Sequence, residues 1–152
     1  MPRVLLAPIS FGLGDLVVSL PVLDALVAQD APVWLVARAP VQERLADRIP
    51  GLAGVVPEHG VDVGAGERLV DLRDHPLQRD YWWGSPAFEA AVGPLGINDL
   101  LDRICTDFGI AADFSRPVPL LAHERGGLEE TVLLVHETCT AGCAYRGDDD
   151  GI

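Results

Sequence analysis

Residues 3–27 read RVLLAPISFGLGDLVVSLPVLDALV, and their pattern decides the fold. Arg3 to Ala7 is a short apolar run ended by Pro8, as expected of a strand buried on both faces. The turn Ser10-Phe11-Gly12-Leu13-Gly14-Asp15 follows. Beyond it, Leu16, Leu20, Leu23 and Val27 recur at three- and four-residue steps and make one face of a helix. Pro21 falls inside that helix. Having no amide hydrogen, it is expected to kink the helix or to end a short first turn.

The alternation continues downstream. PVWLVA (32–37) reads as a second buried strand, and VQERLADRI (41–49) as an amphipathic helix stopped by Pro50-Gly51. Ala53 to Val56 is a third strand candidate, and residues 57–66 are a glycine-bearing loop. RLVDL (68–72) is the fourth candidate. Residues 73–96 are irregular, with a short helix expected at Ala87–Val92. INDLLDRICTDFG (97–109) is a helix with Ile97, Leu100, Leu101, Ile104 and Phe108 on one side and Gly109 as its cap. After a connection over 110–130, TVLLVH (131–136) is a fifth strand candidate. Strands alternating with helices predict an α/β domain, a Rossmann-like doubly wound parallel sheet. That domain is expected over 1–122. Residues 123–152 would then hold a linker, a lone strand and an irregular tail.

Composition bounds the function. The chain has 152 residues, 49% hydrophobic and only 6% aromatic, so the core must be aliphatic. Asp and Glu number 23 against 11 basic residues, a net charge of −12. This argues against a nucleic-acid backbone or an anionic membrane surface as partner, since either demands Lys and Arg. All the basic residues are Arg; with no Lys, Schiff-base chemistry and a phosphate-gripping Lys are excluded. Three cysteines make no disulfide framework, and Cys139, Cys143 and His136 alone are too few ligands for zinc, so no metal is expected. No apolar run reaches the length of a transmembrane helix, and a cytoplasmic location is expected.

A strand, then Gly12-Leu13-Gly14-Asp15, then a helix is a geometry that serves ligands at the carboxyl edge of a parallel sheet. The two glycines allow positive φ angles and close backbone approach, and a helix N-terminus attracts negative charge. The same residues also suit a purely structural turn capped by Asp15. The dinucleotide fingerprint needs a third glycine where Val17 stands, and Arg38 occupies the place of the ribose-binding carboxylate. No cofactor is therefore expected, although a small nucleotide-binding module remains an alternative.

The run from Val4 to Pro57 resembles the start of the heptosyltransferase family of glycosyltransferases. The matching pieces are Leu13-Gly14-Asp15, Ser19-Leu20-Pro21 and Trp34-Leu35-Val36, in that order and at that spacing. The resemblance covers residues 3–57 well and 68–109 in outline. It implies one half of a GT-B architecture, in which two Rossmann-like domains face a cleft. The first would hold a sugar or glycolipid acceptor, and the second would hold the nucleotide-sugar donor. By the same resemblance Asp15 is the general base on the acceptor hydroxyl in an inverting transfer. Ser10, Gly12, Gly14 and Ser19 would line the substrate nearby. The family often carries a basic residue shortly before the Asp, where this chain has Pro8-Ile9-Ser10-Phe11.

Arg73-Asp74-His75 follows the fourth strand, so it is expected at the same edge as the glycine turn, contacting a sugar or forming a loop ion pair with a His cap. Tyr81, Trp82 and Trp83 could stack on a sugar or close a core. Cys105, among helix core residues, reads as a small buried hydrophobe. The second GT-B half is not recognisable after TVLLVH. The expectation is a truncated or degenerate product, incomplete and inactive alone, or a short domain completed by another chain. A non-catalytic interaction domain is a further alternative. An exposed apolar patch with self-association would fit it, and would equally fit the acceptor half of a glycosyltransferase.

Overall fold

Four strands form one all-parallel sheet in the order β3-β2-β1-β4, where β1 is Val4–Ala7, β2 Val33–Ala37, β3 Leu52–Pro57 and β4 Arg68–Asp71. The computed structural model describes residues 2–120 except 30, 81, 82, 84, 117 and 119. The chain divides into the units Met1–Leu121 and Ala122–Ile152, and the second lies outside the described residues. The strand candidate at 131–136, Cys139, Cys143, His123 and His136 fall there, as Tyr81 and Trp82 fall among the excepted positions.

The sheet winds outward from β1 in both directions, first to β2 and β3, then back across to β4. This is the doubly wound α/β arrangement that the alternation of strands and helices predicts. Register follows the apolar runs: Leu5 lies opposite Trp34 and Leu69, and Leu6 opposite Leu35 and Val70. Alternate residues feed two faces. Val4, Leu6, Val33, Leu35 and Val70 point into the main core, and Leu5, Ala7 and Val36 into a smaller cluster closed by Trp34, Val56 and Val61.

The main core is built by helices α1 (Leu13–Val27), α2 (Pro40–Ala46), α4 (Pro86–Val92) and α5 (Ile97–Asp107). Helix α1 supplies Leu16, Leu20, Leu23 and Leu26, all buried. It runs on through Pro21 without ending there; the proline takes the hydrogen bond away from the Val17 carbonyl, whose side chain is exposed. Helix α2 stops at Ala46, short of the 41–49 span expected, because the chain turns at Leu45 to Ile49 before Pro50. Helix α5 ends as expected at Gly109, which has φ +67°. The Ile110 amide donates to Cys105 and the Gly109 amide to Thr106, a Schellman closure. A one-turn helix α3 (Pro76–Arg79) interrupts the segment that the sequence left irregular.

Gly54 is fixed by packing. A Cβ there would lie 2.5 Å from the Trp34 ring, which crosses the β2–β3 pair and lies against the glycine. None of the described helices is long and apolar enough to cross a membrane.

Candidate functional site

In a parallel sheet wound in two directions, connections leave adjacent strands toward opposite sides where the order reverses, and a crevice opens at their carboxyl ends. Here that point lies between β1 and β4. The chain leaving β1 is Pro8 to Gly12, and the chain leaving β4 is Leu72 to His75. The glycine turn and the Arg73-Asp74-His75 segment therefore do share one edge.

Two cavities open there. The smaller, about 50 Å³, is lined by Ile9, Ser10, Asp15, Gln78, Trp83 and Ile97. The larger, about 400 Å³, has Arg38, Glu58 and Asp71 on its walls together with Arg73, Asp74, Gln78 and Arg79. A volume of that order accommodates a small organic ligand. The smaller cavity has room for a substituent only.

Asp15 is the third residue of α1, and its Oδ2 accepts a 2.8 Å hydrogen bond from the Gly12 amide. This is half of a capping box and satisfies a donor at the helix start. The carboxylate still lines the smaller cavity beside Ser10, so the capping role and the crevice position coexist in one side chain. Gly12 has φ −73° and Gly14 is not among the positive-φ glycines, so neither uses the conformational freedom expected of it. Gly14 instead leaves space: a Cβ there would meet nothing within 4 Å. Phe11, Leu13 and Val17 are exposed around it.

Ser19 lies elsewhere. It is wholly buried on the inner side of α1, and its hydroxyl donates to the Asp15 carbonyl at 2.7 Å. The expected substrate-lining role of Ser19 is therefore not met: the Ser19-Leu20-Pro21 step puts the serine in the core. His75 is also committed. It caps α3, with Nδ1 accepting from the Leu77 amide at 3.2 Å and Nε2 3.0 Å from Asp107. The first bond leaves the hydrogen on Nε2, pointing it at that carboxylate. His75 lines neither cavity. Arg73 and Asp74 do reach the larger cavity. Their amides both donate to Asp71, which forms the turn, and the Arg73 guanidinium has no ion-pair partner among the described residues. Arg79 pairs with Asp80 and more loosely with Asp74; the Asp80 carboxylate holds its guanidinium above the ordinary pKa.

Three residues outside the predicted site organise this edge, and of these the sequence pointed only to Arg38. The Arg38 side chain, 4% exposed, ties three strand ends together: Nε donates to the Pro8 carbonyl, and the guanidinium pairs with Asp71 at 2.6 Å and with Glu58. Gln42 is wholly buried. Its Nε2 donates to the Ser10 and Gly12 carbonyls and its Oε1 accepts from the Arg38 amide, holding the glycine turn against α2. The third is Gln78, which lines both cavities. Trp83 walls the smaller cavity while its Nε1 donates to the Leu95 carbonyl. His59 is exposed in a one-turn helix after β3.

Compared with known family models, curated proteins and solved structures, the chain matches none.

Proposed function

We propose that this unit is the acceptor-side domain of an inverting glycosyltransferase that uses a nucleotide sugar. The observation that carries the reading is the placement of Asp15: a carboxylate at the carboxyl edge of β1, facing a cavity that adjoins one of about 400 Å³. Inverting transfer needs a carboxylate to take the proton from a hydroxyl as that oxygen attacks the anomeric carbon and the nucleotide diphosphate leaves. The ordered motifs Leu13-Gly14-Asp15, Ser19-Leu20-Pro21 and Trp34-Leu35-Val36 support the heptosyltransferase-like form of this reading.

In that form the acceptor, a sugar or glycolipid, occupies the larger cavity and presents its hydroxyl to Asp15. Ser10, Gly12 and Gly14 border it, and Arg73 and Asp74 contact its far side. The donor is held by a second domain. Gly14 leaves open space where the donor half would approach, and the exposed Phe11, Leu13 and Val17 would be covered by that half or by a second copy of this chain.

Titration of the chain with simple methyl glycosides and, separately, with ADP and NADPH tests the reading. Glycoside binding that perturbs Ser10 and Asp15 is the expected result. Saturable ADP or NADPH binding by this unit alone would favour a nucleotide-binding module instead. Against that module stands Arg38, whose guanidinium closes the end of β2 where a ribose would have to lie.

A further inference from the structure

Gln78 is 6% exposed, and its Oε1 is buried without a hydrogen-bond partner, the only buried side-chain nitrogen or oxygen among the described residues in that state. A buried acceptor left unpaired costs roughly 1–3 kcal/mol, so such atoms are rare in folded chains and call for a cause. Packing alone supplies none, since a thioether or alkyl chain of the same length would fill the position without that cost. The position supplies one: Gln78 belongs to the lining of both cavities, between the Asp15 side and the Arg73 side.

We propose that Gln78 is a ligand-binding residue whose Oε1 accepts a hydrogen bond from a ligand hydroxyl adjacent to the one that faces Asp15. The inference rests on the acceptor reading above, and it adds a residue and a stereochemical requirement, a vicinal diol. Asp15 and Gln78 both line the same small space, and each side chain carries an acceptor oxygen. An ionised phosphate or carboxylate has no hydrogen to give them, whereas a hydroxyl does. The smaller cavity of about 50 Å³ takes the hydroxyl-bearing edge of the ligand, and the larger of about 400 Å³ takes its ring. Rotation about the last side-chain torsion of Gln78 exchanges Oε1 with Nε2 and turns the oxygen toward the ligand.

Gln78→Met removes the oxygen and keeps the side-chain length. Thermal melting and amide chemical-shift mapping on the whole chain are the measurements, with methyl α-D-mannopyranoside and methyl α-D-glucopyranoside as vicinal-diol probes and 1,4-butanediol as control. The expected result is a variant that melts at or above the wild-type temperature yet binds the glycosides about tenfold more weakly, with shifts at Ser10 and Asp15 in both proteins. Butanediol should bind neither differently. A variant that melts several degrees lower with unchanged glycoside affinity would make Gln78 a packing residue and overturn the proposal. Equal affinity with an unchanged melting temperature overturns it too, while the Ser10 and Asp15 shifts keep the acceptor reading intact. Glycosides that shift neither residue in the wild type overturn both.

Discussion

Around Arg38 every buried side-chain nitrogen and oxygen of the described residues has a partner, whereas around Gln78, on the same sheet edge, a buried oxygen has none. Both clusters combine side chains from separate elements, and both sit where strands end. The Arg38 and Gln42 side chains spend their hydrogen bonds on the Pro8, Ser10 and Gly12 carbonyls and on Asp71. They fix the backbone of the turn. Ser10, Asp15 and Gln78 then line a cavity within a frame that is already held. A satisfied network makes an edge rigid; an unsatisfied atom on a rigid edge is where a ligand finds something to bind.

The sharpest way to break this contrast is Arg38→Ala. It removes the partner of the half-buried Asp71 carboxylate and frees three strand ends at once, and it is expected to cost about 1–3 kcal/mol in equilibrium denaturation. A loss below about 1 kcal/mol, the range of exposed pairs, would mean that the edge is not held by this guanidinium. Gly54→Ala tests packing away from the crevice. With its Cβ 2.5 Å from the Trp34 ring, it should cost roughly 1–3 kcal/mol and leave glycoside binding unchanged.

A smaller effect comes from the core. Burial first, then the Asp102 carboxylate, pushes the Cys105 thiol from 9.0 up to about 12. Because the folded pKa is raised, the neutral thiol's contribution is present in full below pH 9.0 and is lost as pH rises toward about 12. Cys105→Ala should flatten that alkaline decline slightly. Peptide mapping after iodoacetamide at pH 8 should find Cys105 unmodified in the native chain and modified in denaturant.

The fold was legible because its signals are local and redundant. The runs at 4–7 and 33–37 are apolar on both faces, and Gly109 marks the end of α5 by a rule that needs no tertiary information. The site was legible only in part. Chain order placed Asp15, Ser10, Arg73 and Asp74 on one edge, since each follows a strand. That Ser19 turns inward was legible as well, since it lies three residues after Leu16 and four before Leu23 on the apolar face of α1. The His75 cap is local and was among the expectations, but its contact with Asp107 joins residues 32 apart and leaves no mark in the sequence. Gln42 and Gln78 were invisible for a similar reason. A glutamine in a helix reads as surface until packing shows what covers it.

Asp15 tests the account most directly. Asn at this position keeps the acceptor for the Gly12 amide but cannot take a proton, so melting should move by about 1 kcal/mol or less in stability. Transfer from a nucleotide sugar to a vicinal-diol acceptor, measured with the donor-binding half supplied, should fall roughly 10²–10⁴-fold. Wild-type transfer by Asp15→Asn would contradict the account and leave Asp15 as a helix cap alone.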